Sequence, residues 1–357
     1  MIASTAGRKI RVLIVDDSAL IRRLFRDVIN QQPDMEVVGV APDPFVARDL
    51  LLQLKPDVMT LDIEMPRMDG LTFLGKVMHY QPMPVIVISS LTQAASRTAI
   101  EALRGGAVDV LAKPQGPNSV GELSQILAAK IRVASIARAR RPDAAEFHSN
   151  SAEIGRFGLR PDALIAIGAS TGGTQAIEEL LTSLPADSPP IVIVQHIPAG
   201  FSAAFAARLN SLCRIDVREA QDNDVIRPGQ ALIAPGDLHM MVTKYSSPWR
   251  VVVRSGPRVC YQRPSVDILF RSVAECKSDN IAAIILTGMG ADGAEGLLRI
   301  RNADGRTIAQ DEASSVVFGM PKAAIDLGAA EQILPLSRIM AAAVASVGRL
   351  PAGAKSA

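Results

Sequence analysis

A glycine-rich stretch in the middle of the chain, IAIGASTGG at residues 165–173, constrains the fold more than any other feature. Apolar and small residues run into it, and the segment TQAIEELL follows. This order is typical of a buried strand, a tight turn and the start of a helix. Gly168, Ser170 and Gly172 fit the G-x-S-x-G pattern, in which a serine hydroxyl is exposed at the end of a sheet. Because the N–H groups of a helix start suit an oxyanion or a phosphate, the pattern alone predicts either a nucleophile or a nucleotide site.

The length and composition of the chain narrow the possible fold and function classes. The chain has 357 residues, which favours two domains over one, and its 48% hydrophobic residues with 4% aromatics predict cores of Ala, Val, Ile and Leu. A net charge of +2 gives no sign of nucleic-acid binding. The three cysteines are widely spaced, so neither a disulfide framework nor a zinc site is expected. The first residues lack an apolar signal core, and no apolar run reaches the ~20 residues of a membrane span. We therefore expect a soluble, cytoplasmic protein without direct membrane insertion.

The first part of the chain alternates short apolar segments with amphipathic ones, which predicts a doubly wound parallel sheet. The predicted strands are Lys9–Val15, Val37–Ala41, Pro56–Leu61, Val85–Ile88 and Val108–Leu111. The predicted helices are Ala19–Ile29, Phe45–Leu54, Leu71–His79, Thr98–Leu103 and Gly121–Ala137.

Polar side chains follow four of these strands, where ligands of such sheets bind. They are Asp16, Asp17, Asp62, Ser89 and Lys113. Three carboxylates in one crevice repel one another unless a cation is present, and oxygen ligands suit Mg²⁺. A lysine and a hydroxyl beside them suit a phosphoryl group on one carboxylate. Each residue taken singly could instead be a helix cap or a solvated charge, but five at successive strand ends favour a site.

This half of the chain resembles the receiver domain of two-component response regulators. The matching segments are VDDS at 15–18, LDIEMPRMDG at 61–70, Ser89, and Lys113 with the proline after it. The resemblance implies a flavodoxin-like fold over residues 8–128, phosphorylation of Asp62, and contacts from Lys113 and Ser89 to the phosphoryl group. It also implies that Asp16, Asp17, Asp62 and the backbone carbonyl of Glu64 hold Mg²⁺. Many receivers carry an aromatic switch residue three positions before the lysine, where this chain has Val110.

Periodicity is lost after the fifth helix, and small or polar residues dominate, which indicates a linker. Strand periodicity resumes at Ala163, and the second half again alternates strands and helices. Its further predicted strands are Pro189–Gln195, Ala231–Ala234, Ile281–Leu286 and Thr307–Gln310, with an antiparallel hairpin of Met240–Lys244 and Val251–Arg254. Its predicted helices cover Phe201–Leu212, the segment that ends at Cys276 and the segment that ends at Ile300. The pattern predicts a mostly parallel α/β domain with a small antiparallel insertion.

Three predicted strands of this half lead into Ser170, His196 and the loop that holds Asp292. A serine hydroxyl becomes a strong nucleophile when a base takes its proton, and the base needs a carboxylate to fix its tautomer. These three groups could meet at one edge of a parallel sheet. Their order along the chain differs from that of α/β-hydrolases, so only geometry can establish a triad.

Each member has an alternative. Ser170 could be a helix cap, His196 a buried structural histidine, and Asp292 an N-cap. His239, in a second glycine-proline turn, is a rival base. The competing carboxylates are Asp237, Asp267 and Asp311.

The second half resembles the catalytic domain of CheB-type protein-glutamate methylesterases. The motifs are IGASTGG at 167–173, QHIP at 195–198, APGDLH at 234–239, RPSVD at 263–267 and LTGMGADG at 286–293. The resemblance implies that Ser170 is the nucleophile, His196 the base and Asp292 the orienting acid. It further implies that the N–H of Met289 lies in the oxyanion hole and Thr171 beside the histidine. The implied substrates are glutamate γ-methyl esters, and glutamines to be deamidated, on the cytoplasmic domains of chemoreceptors.

Together the two resemblances predict a receiver domain at 8–128, a linker at 129–159 and a methylesterase domain at 160–350. The implied partners are methylated chemoreceptors and a chemotaxis histidine kinase as phosphodonor, with no nucleic acid and no cofactor for the esterase. Two other functions compete with this one. A dinucleotide site requires the motif G-x-G-x-x-G and an acidic residue about 20 positions after it. This chain has G-x-S-x-G instead, and Gln195 and His196 at the position of the acidic residue. A signalling adaptor would have no use for a serine, a histidine and an aspartate at three strand ends.

Overall fold

The computed structural model describes residues 8–114, 120–137, 158–159, 162–243, 248–278 and 280–349. Most of the predicted linker lies outside the described residues. The chain divides into two compact units, residues 1–145 and 146–357. Within the described residues, no helix is long and apolar enough to cross a membrane.

The first unit alternates five strands with five helices. They are β1 (Ile10–Val15), α1 (Ala19–Asn30), β2 (Met35–Ala41), α2 (Pro44–Leu54), β3 (Val58–Asp62), α3 (Gly70–Tyr80), β4 (Val85–Ser89), α4 (Gln93–Arg104), β5 (Asp109–Ala112) and α5 (Val120–Ile136). The strands pair in the order β2-β1-β3-β4-β5, and every pair is parallel. The predicted doubly wound sheet is therefore confirmed. The order reverses beside β1, so the carboxyl ends of β1 and β3 border the crevice where ligands of such sheets bind.

Capping side chains place the starts of two helices in this unit. Helix α4, to which the predicted segment Thr98–Leu103 belongs, begins at Gln93, because the Thr92 hydroxyl accepts a hydrogen bond from the Ala95 N–H (3.2 Å). Helix α3 begins at Gly70 because Asp69 accepts a hydrogen bond from the Thr72 N–H (2.8 Å). Small and polar residues at the start of α4 hide its helical period, so the sequence pattern indicates only its second half.

Helix α5 packs on the first unit and ends at Ile136. Leu127 and Ile131 are fully buried. The guanidinium of Arg132 donates to both carboxylate oxygens of Asp34, at 2.7 and 2.8 Å. The helix therefore continues past residue 129, where the predicted linker begins.

The second unit contains a longer parallel sheet. Its elements are β6 (Gly158–Leu159), β7 (Leu164–Ala169), α6 (Gly173–Thr182), β8 (Ile191–Gln195), α7 (Phe201–Leu212), β9 (Asp216–Glu219), β10 (Gln230–Ile233), β11 (His239–Thr243), β12 (Arg250–Arg254), α8 (Val266–Glu275), β13 (Ile281–Ile285), α9 (Ala294–Asn302), β14 (Arg306–Gln310), α10 (Met320–Asp326), β15 (Gln332–Leu334), α11 (Leu336–Val347) and β16 (Gly348–Arg349). Seven strands pair in the order β15-β14-β13-β7-β8-β10-β9, all parallel, while β11 and β12 form the predicted antiparallel hairpin.

Strand β7 lies in the middle of this sheet, between β13 and β8. All residues of β7, β8 and β13 are buried, as expected for parallel strands covered on both faces. The carboxyl ends of these three strands lead into Ser170, His196 and the loop after Leu286. The hydrophobic core of the unit thus brings the three candidate segments to one edge of the sheet.

Candidate active site

The turn between β7 and α6 holds Ser170. Only three residues separate the strand from the helix, and Gly172 adopts a positive φ of 78° that disfavours a side chain. The Ser170 N–H donates to the Thr287 carbonyl (3.0 Å), and the Ser170 carbonyl accepts from the Gly173 N–H (2.7 Å). The turn is therefore bound both to itself and to the loop after β13.

One side chain from the loop after β13 and one from β8 also hold this turn. On one side, the Thr287 hydroxyl donates to the Thr171 carbonyl (3.0 Å). On the other, the Gln195 side-chain amide donates to the Ser170 carbonyl (2.8 Å). Thr171 itself is buried. The predicted contact of Thr171 with His196 stays a prediction.

The histidine that follows β8 is bonded to the aspartate of the third segment. The Nε2 atom of His196 lies 2.8 Å from Oδ2 of Asp292. Because an ionised carboxylate only accepts hydrogen bonds, this contact puts the imidazole proton on Nε2. The Nδ1 atom is buried and has no hydrogen-bond partner among the described residues. It therefore keeps a lone pair that can take a proton.

Asp292 accepts four hydrogen bonds while it is 2% exposed. Besides His196, the donors are the Ser265 hydroxyl (2.8 Å) and the N–H groups of Val266 (2.7 Å) and Asp267 (3.1 Å). These two N–H groups belong to the first turn of α8, whose positive end favours a carboxylate. Burial alone would raise the pKa of Asp292, but the bonds from His196, Ser265 and Val266 hold it below the usual aspartate value. Asp292 is thus an ionised partner for the histidine.

The rival histidine has a different environment. The Nδ1 atom of His239 accepts a hydrogen bond from the Ser265 N–H (3.2 Å), and its Nε2 donates to the Pro257 carbonyl (2.8 Å). Both ring nitrogens are occupied, and the ring is buried. In this structure His239 supports the segment before α8.

The competing carboxylates also have partners elsewhere. Asp237 pairs with Arg263 (2.7 Å), Asp267 accepts from the Gly296 N–H (2.6 Å), and Asp311 accepts from the Ser314 hydroxyl (2.6 Å). Within the described residues, Asp292 is the carboxylate that contacts His196.

The loop between β13 and α9 packs directly against the Ser170 turn. A side chain at Gly288 would come within 2.6 Å of the Ser170 Cβ, so only glycine fits there. The Gly288 N–H donates to the Val317 carbonyl (3.0 Å), and the Gly288 carbonyl accepts from the Met320 N–H (2.8 Å). In the part of the chain that the structure describes, no acceptor bonds to the Met289 N–H. That N–H is available to a ligand.

The first unit has its own polar cluster. Carboxylate oxygens of Asp16, Asp17 and Asp62 lie within 4.8 Å of one another. The Nζ atom of Lys113 lies 2.7 Å from Asp62 Oδ2 and 3.7 Å from Asp16 Oδ2. Burial and the nearby Asp62 raise the pKa of Asp16 to about 6, and burial also raises the pKa of Asp62, against the opposing effect of Lys113.

A divalent cation fits this cluster. Asp16 Oδ2 is buried and has no hydrogen-bond partner among the described residues, which leaves a lone pair for a metal. The donor set consists of carboxylate oxygens, which hard cations such as Mg²⁺ prefer.

The remaining predicted residues of the first unit lie around Asp62. The Glu64 N–H donates to Asp62 Oδ1 (3.0 Å), and the Glu64 side chain is exposed. The Ser89 hydroxyl is buried, and its one hydrogen is shared between the carbonyl oxygens of Ala95 and Ser90, both at 3.2 Å. A contact from this hydroxyl to a phosphoryl group would require it to rotate away from them. Val110 is buried.

Sequence reasoning missed three residues that hold the second site together. Gln195 and Thr287 bind the Ser170 turn, and Ser265 binds Asp292. The available signal for Ser265 was a serine just before an apolar helical segment, which marks an N-cap. Nothing local indicates that the same hydroxyl reaches across to Asp292.

Comparisons with known proteins agree with this architecture. The CheB methylesterase family matches residues 165–343, and the response regulator receiver domain family matches residues 12–125. Protein-glutamate methylesterase/protein-glutamine glutaminase 2 of Syntrophus aciditrophicus is 52% identical over 333 residues, covering 93% of this chain and 97% of that protein. The protein of the same name from Pseudomonas aeruginosa is 50% identical over 348 residues, covering 96% and 99%. The crystal structure of the Thermotoga maritima CheB methylesterase catalytic domain covers 53% of this chain and 98% of its own, at 36% identity and a TM-score of 0.50. Both resemblances drawn from the motifs are confirmed.

Proposed function

This chain belongs to the family of CheB methylesterases that carry a receiver domain, and we propose that it removes methyl groups from glutamate γ-methyl esters of chemoreceptors and deamidates receptor glutamines. The relatives that it matches along almost their whole length are named for these two activities. The enzyme is a carboxylic ester hydrolase whose activity is regulated by phosphorylation of its receiver, and it serves adaptation in chemotaxis-type signalling.

One observation carries the assignment of the reacting groups: the contact of His196 with Asp292 beside the Ser170 turn. The buried carboxylate keeps the proton on Nε2, so the buried Nδ1, which has no hydrogen-bond partner among the described residues, keeps a free lone pair. A neighbouring serine on a strand-to-helix turn then has a base for its proton. This supports a Ser170–His196–Asp292 triad.

The reaction follows from these groups. The Ser170 oxygen attacks the ester carbonyl carbon while its proton passes to Nδ1 of His196, and the N–H of Met289 donates to the developing oxyanion. The tetrahedral intermediate collapses, the bond to the methoxy oxygen breaks, and that oxygen leaves as methanol with the proton from His196. Water then attacks the acyl-enzyme by the same route and releases the glutamate side chain and Ser170. With a glutamine substrate, ammonia leaves in place of methanol. Thr171, next to the nucleophile, helps to position the histidine.

The receiver supplies regulation. Asp62 accepts a phosphoryl group from a chemotaxis histidine kinase, and Lys113 and Ser89 contact the phosphoryl oxygens. Asp16, Asp17, Asp62 and the Glu64 carbonyl would hold Mg²⁺, and the bound ion would supply positive charge beside the phosphoryl group. Val110 stands three positions before Lys113, where many receivers carry an aromatic switch residue. Transmission of the phosphorylation signal in this receiver therefore does not use an aromatic rotamer change. We place the protein in the cytoplasm, where the receptor domains that carry its substrates lie.

The function can be tested with an active-site fluorophosphonate probe together with methanol release from methylated receptor membranes. We expect labelling of Ser170 that is lost in Ser170→Ala and in His196→Ala. Ser211→Ala is the matched control, because this serine lies on the exposed side of α7, where it donates to the Arg208 carbonyl of its own helix. Labelling in this variant should equal that of the wild type. Absence of labelling at any serine, combined with tight nucleotide binding, would instead establish a nucleotide site at the Ser170 turn.

A further inference from the structure

The side chain of Gln195 binds the backbone of both the serine and the histidine. Its Nε2 atom donates to the Ser170 carbonyl (2.8 Å) and to the His196 carbonyl (3.2 Å). An amide nitrogen carries two hydrogens, so both are used. Gln195 is 3% exposed, and neither bond competes with bulk water.

These bonds begin where the sheet ends. The last paired residues of β7 and β8 are Ala169 and Gln195, and the Ala169 carbonyl accepts the His196 N–H (2.9 Å). Beyond this pair the two segments continue as the Ser170 turn and the loop that begins with His196, so the carbonyls of Ser170 and His196 lie outside the β7–β8 ladder. The Gln195 amide donates to both of these carbonyls. It thereby connects the two segments at the first position beyond the ladder.

The oxygen of the Gln195 amide, unlike its nitrogen, lowers the stability of the folded state. The Oε1 atom of Gln195 is buried and meets no hydrogen-bond donor in the described part of the chain. It packs against Gly173, where a Cβ would come within 2.2 Å of it. The opposite orientation of the amide would put Oε1 against the two carbonyl oxygens, so the network fixes the orientation. A methionine would fill the same space without an unpaired oxygen.

We infer that Gln195 is a positioning residue for the esterase reaction, which couples the nucleophile to its base by holding the carbonyls of Ser170 and His196 in one fixed arrangement. The inference rests on the proposed function. Because the unpaired Oε1 atom lowers the stability of the folded state, we attribute the presence of an amide at this position to catalysis. Alignment of the Ser170 hydroxyl with His196 Nδ1 must be held within a fraction of an ångström, and a misplacement of ~1 Å is enough to lower the rate roughly 100-fold.

The test is Gln195→Met in the full chain, with Gln230→Met as the matched control. Gln230 lies in β10 of the same sheet, where its Nε2 bonds to Asp216 (2.7 Å) and its Oε1 is likewise buried without a partner among the described residues. Both variants replace a buried half-satisfied amide. The measurements are kcat and KM for methanol release, the rate of fluorophosphonate labelling at Ser170, and the thermal unfolding midpoint.

We expect Gln195→Met to lower kcat and the labelling rate roughly 10- to 100-fold with KM unchanged, while Gln230→Met keeps both rates. Gln195→Leu, which removes the donor without introducing an ionisable group, should show the same loss and serves if the methionine variant fails to fold. Rates near wild type in a folded Gln195→Met or Gln195→Leu protein overturn the inference. So does an equal loss in Gln230→Met. If the wild type neither labels nor releases methanol, the proposed function fails instead.

Discussion

The Nε2 atom of His196 lies 2.8 Å from Oδ2 of Asp292, which leaves Nδ1 as the proton-accepting nitrogen of the ring. Asp292 in turn is fixed by the first turn of α8 and by the Ser265 hydroxyl. The orientation of the proposed base therefore depends on the start of a helix far from it in sequence. This dependence leads to the first two predictions.

Asp292→Asn should lower kcat about 10⁴-fold, because an amide cannot accept from all four donors and favours the wrong histidine tautomer. Methanol release at saturating receptor is the measurement. Asp326→Asn, an exposed carboxylate of α10 that pairs with Lys322, should keep the wild-type rate. A rate for Asp292→Asn within ten-fold of wild type would be evidence against Asp292 as the orienting acid.

Ser265→Ala should reduce kcat roughly 10-fold, because Asp292 loses one of the hydrogen-bond donors that stabilise its negative charge. The variant should also lose about 1 kcal/mol of stability, because the same hydroxyl caps α8 through the Ile268 N–H. Kinetics and chemical denaturation measure the two effects separately. Ser265→Thr keeps the hydroxyl and should recover most of both. Full activity in Ser265→Ala would mean that the backbone N–H groups of α8 suffice to hold Asp292.

The sequence pattern predicted the central elements of both sheets well. Strands β7, β8 and β13 are continuous apolar runs bounded by turn residues, and such runs stay buried in almost any fold that includes them. The edge strands β9 and β15 were not predicted. They are short and partly exposed, so their sequences, DVRE and QIL, lack a strong hydrophobic period. Their pairing is decided by the neighbouring strand rather than by their own residues.

The members of the candidate site could be predicted, but the bonds between them could not. A motif at a strand end reveals which side chains reach the sheet edge. It does not reveal that His196 turns Nε2 toward Asp292, or that His239 has both nitrogens occupied. Those outcomes depend on contacts between residues more than 15 positions apart, such as Ser265 with Asp292 and His239 with Pro257. Only the three-dimensional structure contains them.

Asp16→Asn should stabilise the metal-free receiver at neutral pH. The pKa of Asp16 is raised from 3.8 to about 6 in the folded state, so the folded state binds the proton more tightly than the unfolded state does. Stability from this group is therefore present below pH 3.8 and is lost as the pH rises to about 6. One unit of pKa difference corresponds to about 1.4 kcal/mol. Above pH 6 the substitution should therefore raise the free energy of unfolding by up to ~3 kcal/mol.

Calorimetry of the full chain checks this prediction through the unfolding transition that responds to Mg²⁺. The gain in Asp16→Asn should disappear in acid, and Mg²⁺ should stabilise the wild type more than the variant at neutral pH. Asp49→Asn, which removes an exposed carboxylate on α2, should leave the transition unchanged. A transition temperature for Asp16→Asn equal to wild type at neutral pH would contradict the prediction.

Removal of residues 1 to about 150 should raise basal methylesterase activity, because we expect the unphosphorylated receiver to limit access of a receptor-sized substrate to Ser170. A bias of ~1–3 kcal/mol between restricted and open arrangements changes the open population roughly 5- to 150-fold. Asp62→Asn should keep the low basal rate and not respond to a small phosphodonor, whereas the wild type should respond in the presence of Mg²⁺. Methanol release from methylated receptor membranes compares the three proteins, and a small soluble ester is the control, since steric restriction should affect it far less. If the truncated enzyme is slower on receptors than the unphosphorylated full chain, the receiver activates or targets the enzyme, and inhibition by restricted access is wrong.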